Sequence, residues 1–210
     1  MPEKTTKPRE KSKEKSKQAF MEAVGEILKT KGHEALKVND IAAMAGLSKK
    51  LIYNYFGGTE QLLDEYLHSQ DFWTKLNHEE LIGETTNGGR EITKQVLADQ
   101  FDFVANHMAF QKILLWQLSE ERPSLRKMIE DQEATGELLF NGISDPYFGE
   151  KATDFRAIMA ILISGIYYLN LFTKVNGSMF CGIDLNTPEG ESKIREALNF
   201  LVDKTYEGLK

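Results

Sequence analysis

Apolar residues recur every three or four positions through most of the chain and almost nowhere alternate with polar ones. That periodicity predicts helices. Residues 1–15 are charged, hydroxyl-bearing and proline residues with Met1 as the one apolar side chain. They can bury nothing and are expected to be disordered. A helical stripe begins at Ala19 and Phe20, continues through Ala23, Val24, Ile27 and Leu28, and stops at Lys31-Gly32. Two short helices follow at about 39–45 and 49–55, joined by a turn at Gly46-Leu47-Ser48 and closed by Gly57-Gly58. A longer helix is expected from Thr59 to about Leu76, then a loop from Gly83 to Gly89.

The remaining stripes are longer. One carries Ile92, Val96, Leu97, Phe101 and Val104. The next carries Phe110, Ile113, Leu114 and Leu118 and ends before Arg122-Pro123. Further helices are expected over about 124–141 and 152–175, with a turn at Asp145-Pro146 between them. Residues 176–187 read as a loop without period. The last helix carries Ile194, Leu198, Leu201, Val202 and Leu209. With no convincing alternating strand and no internal repeat, the fold class is all-α. The expected division is a basic tail at 1–15, a three-helix head at 16–58, and a larger helical body at 59–210.

Composition fits a globular chain, with 41% hydrophobic and 28% charged residues. The net charge is −6, but it is unevenly spread. Residues 1–56 hold 12 Lys/Arg and 7 Asp/Glu, a net +5, and residues 57–210 carry −11. A basic head on an acidic body points to nucleic acid contact at one end, or to a solvated basic tail. The lone Cys181 cannot close an intrachain disulfide and suits a reducing compartment. Met1 to Thr6 has no apolar run of the secretory kind, so a cytoplasmic location is expected. The apolar run between Arg156 and Lys174 is 17 residues long and is interrupted by Ser164, Gly165, Asn170 and Thr173. A spanning helix needs about 20 mostly apolar residues, so a buried helix is expected and no membrane partner.

The segment Val38 to Phe56 carries the clearest chemistry. Ala42 and Ala45 are small where two helices would approach. Gly46 tolerates the positive φ of a tight turn. Ile41, Leu47, Ile52 and Phe56 supply a small core, and Ser48 is placed to cap the second helix. This is the construction of a helix-turn-helix, whose second helix enters the major groove. Asn54 can read adenine, Lys50 can reach guanine O6 or N7, and Leu51 can touch a thymine methyl. Lys49, Tyr53 and Tyr55 are placed for phosphate contacts.

Gly32 to Leu63 resembles the DNA-binding domain of the tetracycline-repressor (TetR) family. The matching residues are Gly32, Asp40-Ile41-Ala42, Ala45-Gly46-Leu47-Ser48, Ile52-Tyr53, Phe56-Gly57 and Glu60-Gln61-Leu62-Leu63. The resemblance implies DNA binding by the first three helices and a small effector in the body. It also implies a homodimer built on the last two long helices, and a shift of the linking helix on effector binding. A palindromic operator and release by the effector follow from it. The chain departs from the family where a capping Thr or Ser is replaced by Lys37, which can bind phosphate but cannot cap. A backbone-contacting Lys is replaced by Thr59, leaving its hydroxyl and the helix N-terminal amides. Usually small positions are occupied by Lys50 and Leu51.

In the body, Phe101, Phe103, His107 and Trp116 are candidate effector contacts, as are Tyr167, Tyr168 and Asn170, because an apolar pocket with a few placed polar groups suits a small molecule. Core or dimer packing is the competing reading of each. The helix at 152–175 is apolar nearly all round and needs cover on more than one side. His33, His68, His78 and His107 are scattered, so no metal site is expected. No phosphate-binding glycine loop, nucleophile elbow or other catalytic constellation is visible, so neither cofactor nor enzyme activity is expected. The rival readings are a helical-bundle carrier or enzyme in which the helix-turn-helix only packs, and an interaction module whose basic head meets an acidic partner.

Overall fold

The structure, a computed structural model, describes residues 7–75 and 86–209. The first six residues of the expected tail, Leu76 at the expected end of the linking helix, His78, and residues 83–85 of the expected loop lie outside the described residues. Among the described residues the architecture is all-helical apart from one small hairpin. The chain divides into two compact units: Met1–Asp71 with Lys112–Glu130, and Phe72–Gln111 with Asp131–Lys210.

The first unit contains α1 (Lys7–Thr30), α2 (Val38–Ala45), α3 (Lys50–Phe56) and α4 (Thr59–Gln70). The stripe Phe20, Ala23, Val24, Ile27 and Leu28 is buried, as are Ile41, Ile52, Leu62 and Leu63 opposite it. Tyr66 of α4 lies against Gly25 of α1, and burial pushes its phenol up to about 12. α1 starts at Lys7, well inside the stretch whose composition suggested disorder. The reason is a contact type that hydrophobic periodicity does not register. Lys17 pairs with Glu65 at 2.8 Å and lies 4.9 Å from the Phe56 ring centroid, and Lys13 lies over Tyr55 at 5.7 Å. Within the stretch, the Lys13 cation–π contact ties the extension to α3, and Lys17 anchors the turn that follows it.

α4 stops at Gln70, short of the expected Leu76. Ser69 Oγ donates back to the Tyr66 carbonyl at 2.7 Å, and Asp71 is extended. Such local side-chain bonding competes with the helix.

The second unit holds α5 (Arg90–Asn106) packed against α9 (Ala152–Val175) and α10 (Pro188–Gly208). α6 (Met108–Gln117) and α7 (Pro123–Leu139) pass from one unit to the other along their length. Leu118, read as part of the α6 stripe, lies beyond the helix and is 82% exposed. The core centres on Leu97, Phe101, Phe155, Met159, Ile166 and Tyr206. Before α5, Gly88 and Gly89 both have positive φ, 68° and 77°. A Cβ on Gly88 would sit 2.3 Å from Tyr147 Cγ, and one on Gly89 would sit 2.5 Å from Ile143 Cγ2. Only glycine fits both the conformation and the space. Tyr206 of α10 donates to the Gly88 carbonyl at 2.7 Å, fixing this corner.

Two expectations fail locally. Asp145-Pro146 is not a turn: a π-helical segment, Phe140–Ser144, leads straight into α8 (Asp145–Phe148). Proline is tolerated in a first helical turn, where its missing N–H costs nothing, and Arg156 clamps the Asp145 carboxylate at 2.6 and 3.1 Å. Within 176–187, Met179–Phe180 (β1) pairs antiparallel with Ile183–Asp184 (β2). The two-residue link is Cys181-Gly182, both at positive φ, and Cys181 is exposed. Asp184 sits below the usual carboxylate range because Ser178 and the Asn186 amide hydrogen-bond to it.

Candidate nucleic-acid interface and ligand cavity

The helix-turn-helix is built as its residue types require. Gly46 ends α2 at φ 64°, ψ 27°, a left-handed conformation that penalises any Cβ. The Gly46 amide donates to the Ala43 carbonyl at 3.1 Å and Leu47 N–H to the Ala42 carbonyl at 3.1 Å, sealing the end of α2. Ser48 Oγ then accepts from the Lys50 amide at 3.4 Å, a long bond, and Leu51 N–H reaches the Ser48 carbonyl at 2.9 Å. With Ile52 fully buried, α3 turns Lys50, Tyr53 and Asn54 to solvent. Lys49 is exposed too, and its Nζ donates to Asn39 Oδ1 of α2 at 3.0 Å.

The other residues singled out for DNA lie around this face with different exposures. Lys37 and Ser48 are exposed, and Lys37 precedes α2 without capping it. Leu51, Tyr55 and Thr59 are half-buried. Tyr55 turns its ring toward Lys13, so the pair brings a cation of α1 beside α3. Periodicity alone did not single out Lys13.

A second cluster in the same unit was missed entirely. Trp116 is fully buried, and its Nε1 donates to Glu120 at 2.7 Å. His33 stacks on the indole at 5.6 Å between centroids and 16° between planes, and its Nε2 is 3.8 Å from Glu120. The Arg122 guanidinium sits 5.5 Å from the Trp116 centroid and forks onto Glu60 in the first turn of α4. Sequence reasoning placed Trp116 among effector contacts, but its partners are all in the first unit.

The second unit contains a cavity of about 220 Å³. Ile92, Val96 and Leu97 of α5 face Met159 and Ile163 of α9 across it, and Trp73 contributes from the chain after α4. Its lining residues with polar groups include Thr93, Gln132, Glu133, Ser144 and Tyr167, which carries a hydroxyl. Gln100, fully buried, donates from Nε2 to that hydroxyl at 2.7 Å, while its Oε1 has no hydrogen-bond partner. The π-helical segment supplies Phe140, Ile143 and Ser144 to the wall; such segments often mark functional sites.

Of the seven residues read as effector contacts, Tyr167 alone lines this cavity, so the set is not brought together. Phe101 is core, and its carbonyl accepts from the buried Asn170 side chain at 3.5 Å. Both border a smaller recess of about 100 Å³. Phe103 stacks on the exposed His107 at 3.9 Å and packs on Phe72 and Phe110. Tyr168 points to solvent beside Phe172 and Phe180. Two residues apart on a helix means opposite faces, and aromatic identity could not say which face meets a cavity. The usable signals for the wall were Gly136 in mid-helix and the glycine pair before α5.

The helical stretch Pro123–Val175, which includes α9, is long and apolar enough by length and composition to cross a membrane, and its apolar window is only 28% buried, so the fully buried helix expected at 152–175 is not observed. One face carries Phe155, Met159, Leu162 and Ile166 into the core. The other leaves Ile161 and Tyr168 exposed, and α10 leaves Phe200 and Leu201 exposed. Among the described residues, no group of three or more His, Cys, Asp or Glu is placed to hold a metal.

Comparison with known proteins bears on both ends of the chain. Residues 20–66 match the family described as bacterial regulatory proteins, tetR family. The chain is similar to the HTH-type transcriptional regulator YfiR of Bacillus subtilis (strain 168), with 24% identity over 175 residues, 76% of this chain and 77% of that protein. Its fold is similar to NalD, the secondary repressor of the MexAB-OprM multidrug efflux pump in Pseudomonas aeruginosa. There the TM-score is 0.59 at 15% identity, over 90% of this chain and 95% of that one. A regulator from Clostridium perfringens gives a TM-score of 0.59 at 18% identity, over 88% of this chain and 97% of that one.

Proposed function

We propose that this chain, whose residues 20–66 match the tetR family of helix-turn-helix transcriptional regulators, is a cytoplasmic repressor of that family that binds a palindromic operator as a homodimer and is released by a small molecule. The observation that carries the reading is the surface of α3: Lys50, Tyr53 and Asn54 are exposed together on a helix whose inner side is held by Ile52. An exposed short helix with amide and cationic side chains suits the major groove. Lys37, Ser48, Lys49, Tyr55 and Thr59 border it as phosphate contacts, and Leu51 reaches a thymine methyl.

The homodimer reading rests on α9 and α10. Ile161 is 72% exposed and Phe200 58% exposed, on helices whose opposite faces already close the core. Exposed apolar side chains grouped on such helices favour a partner surface, and a second copy offers the same two helices. The effector reading rests on the apolar cavity of the second unit.

Selection of bound sequences from a randomised duplex pool, run in parallel with Asn54→Ala, tests the proposal. A palindrome enriched by the parent and blurred by the variant is the expected result. A folded protein that enriches nothing at moderate salt overturns it and favours the carrier or interaction readings.

A further inference from the structure

The charges around the cavity of the second unit constrain what can occupy it. Among the described lining residues, Glu133 is the one carboxylate, and no Lys, Arg or His lines the wall. Three cations on the flanking helices are occupied. Arg90 and Lys94, either side of Thr93, both bind Asp203 at 2.6 Å. Arg156, between Phe155 and Met159, is held by Asp145 and Glu137. An anionic headgroup entering this site would have to displace a carboxylate to find a positive partner. Otherwise it would lose its hydration uncompensated, which is costly for an ion. The helix that supplies Gln132, Glu133 and Gly136 carries Glu130, Asp131 and Glu137 against Arg126 and Lys127, with Glu137 already paired to Arg156, and the body as a whole is acidic. That field repels anions and draws cations.

We propose that the cavity takes an amphipathic molecule with an apolar body and a positively charged, nitrogen-based head, the body lying among Ile92, Val96, Leu97, Met159 and Ile163 and the head at Glu133. Carboxylates and phosphates of the same skeleton bind more weakly. This rests on the reading of the cavity as the effector site. It adds that the sign of the ligand's charge is selected, with Glu133 as the selecting group. Glu133 is exposed, so its attraction is screened and modest, and the lack of a cation among the described lining residues adds to the discrimination.

The test uses the full-length protein and three probes of one chain length: octylammonium, octan-1-ol and octanoate. Quenching of Trp73, which lines the cavity, reports binding, with Trp73→Phe as the reporter control. Octylammonium is expected to bind on the order of tenfold more tightly than octanoate, and Glu133→Gln to bring it within a fewfold of octanol. Octanoate binding as well as or better than octylammonium overturns the proposal and leaves the cavity reading standing. The cavity reading is tested separately by Met159→Phe, or Ile92→Phe where the former does not fold, neither of which adds a tryptophan. If the filled variant binds all three probes as the parent does, or the parent binds none, the cavity is not the site and the proposal falls with it.

Discussion

Arg122 grips Glu60 with a fork: Nη2 lies 2.7 Å and Nε 3.0 Å from the same carboxylate oxygen, and Nε also lies 3.3 Å from the other. Glu60 opens α4, the helix that follows the reading head, and Arg122 ends the loop before α7. The fork therefore ties the first turn of α4 to the Trp116 cluster within one unit. Arg122→Ala should destabilise that unit by about 1 kcal/mol, since both groups are partly solvated and an exposed pair of good geometry is worth no more. Urea denaturation of Arg122→Ala, Glu60→Gln and the double variant measures it. Additive single effects, with no coupling energy, would show that the fork contributes nothing.

Gly46→Ala should cost about 1–2 kcal/mol, although nothing lies within 4 Å of the added Cβ. The penalty is conformational, from the left-handed backbone at the end of α2. A variant as stable as the parent would mean that the turn relaxes to another geometry, and operator affinity should then fall without any loss of stability.

Lys13 and Lys50 should fail in different ways on DNA. Lys50→Ala is expected to relax sequence preference by about 1–3 kcal/mol at one base position. Lys13→Ala should weaken binding about equally on every sequence and lower the slope of log affinity against log salt by about 0.9, the signature of one lost phosphate contact. Titration of operator and scrambled duplexes across salt separates the two. A Lys13 variant with an unchanged slope would confine that residue to its contact with Tyr55.

Acid should loosen the second unit through Asp203. Lys94 first, and Arg90 after it, hold this carboxylate below its ordinary value of 3.8. A depressed carboxylate contributes its stability above the unfolded value and loses it as pH falls through the lower folded one. The parent should therefore lose stability more steeply below about pH 4 than Asp203→Asn, which has no such proton to take up. Thermal melts of both proteins from neutral to strongly acidic pH check this, and parallel curves would rule it out.

Ile161→Glu and Phe200→Glu should shift the protein toward monomer in sedimentation at micromolar concentration. Both side chains are solvent-facing, so neither change disturbs the core. An oligomeric state unaffected by both substitutions would place any dimer surface elsewhere.

The reading head was legible because its determinants are local. The spacing of Phe20, Val24 and Ile27, the small Ala42, and Gly46 before Ser48 act within one or two helical turns, and these residues are buried or bent as their types demand. Periodicity likewise located the long helices of the body. It overran at α4, which ends at Gln70 with Asp71 extended, and it passed over the Cys181-Gly182 hairpin, whose strands are two residues long.

By itself the sequence determined the all-helical class, the turn chemistry of the helix-turn-helix and the basic character of the head, because propensity, glycine conformation and charge belong to residues or close neighbours. Tertiary structure alone decided which of the many aromatics meet a cavity and which meet each other. Trp116 joins His33, 83 positions earlier in the chain, and Tyr167 turns to the cavity while Tyr168 turns to solvent. Those outcomes depend on the angle at which whole helices pack, a property of the assembled core that no short stretch of residues encodes.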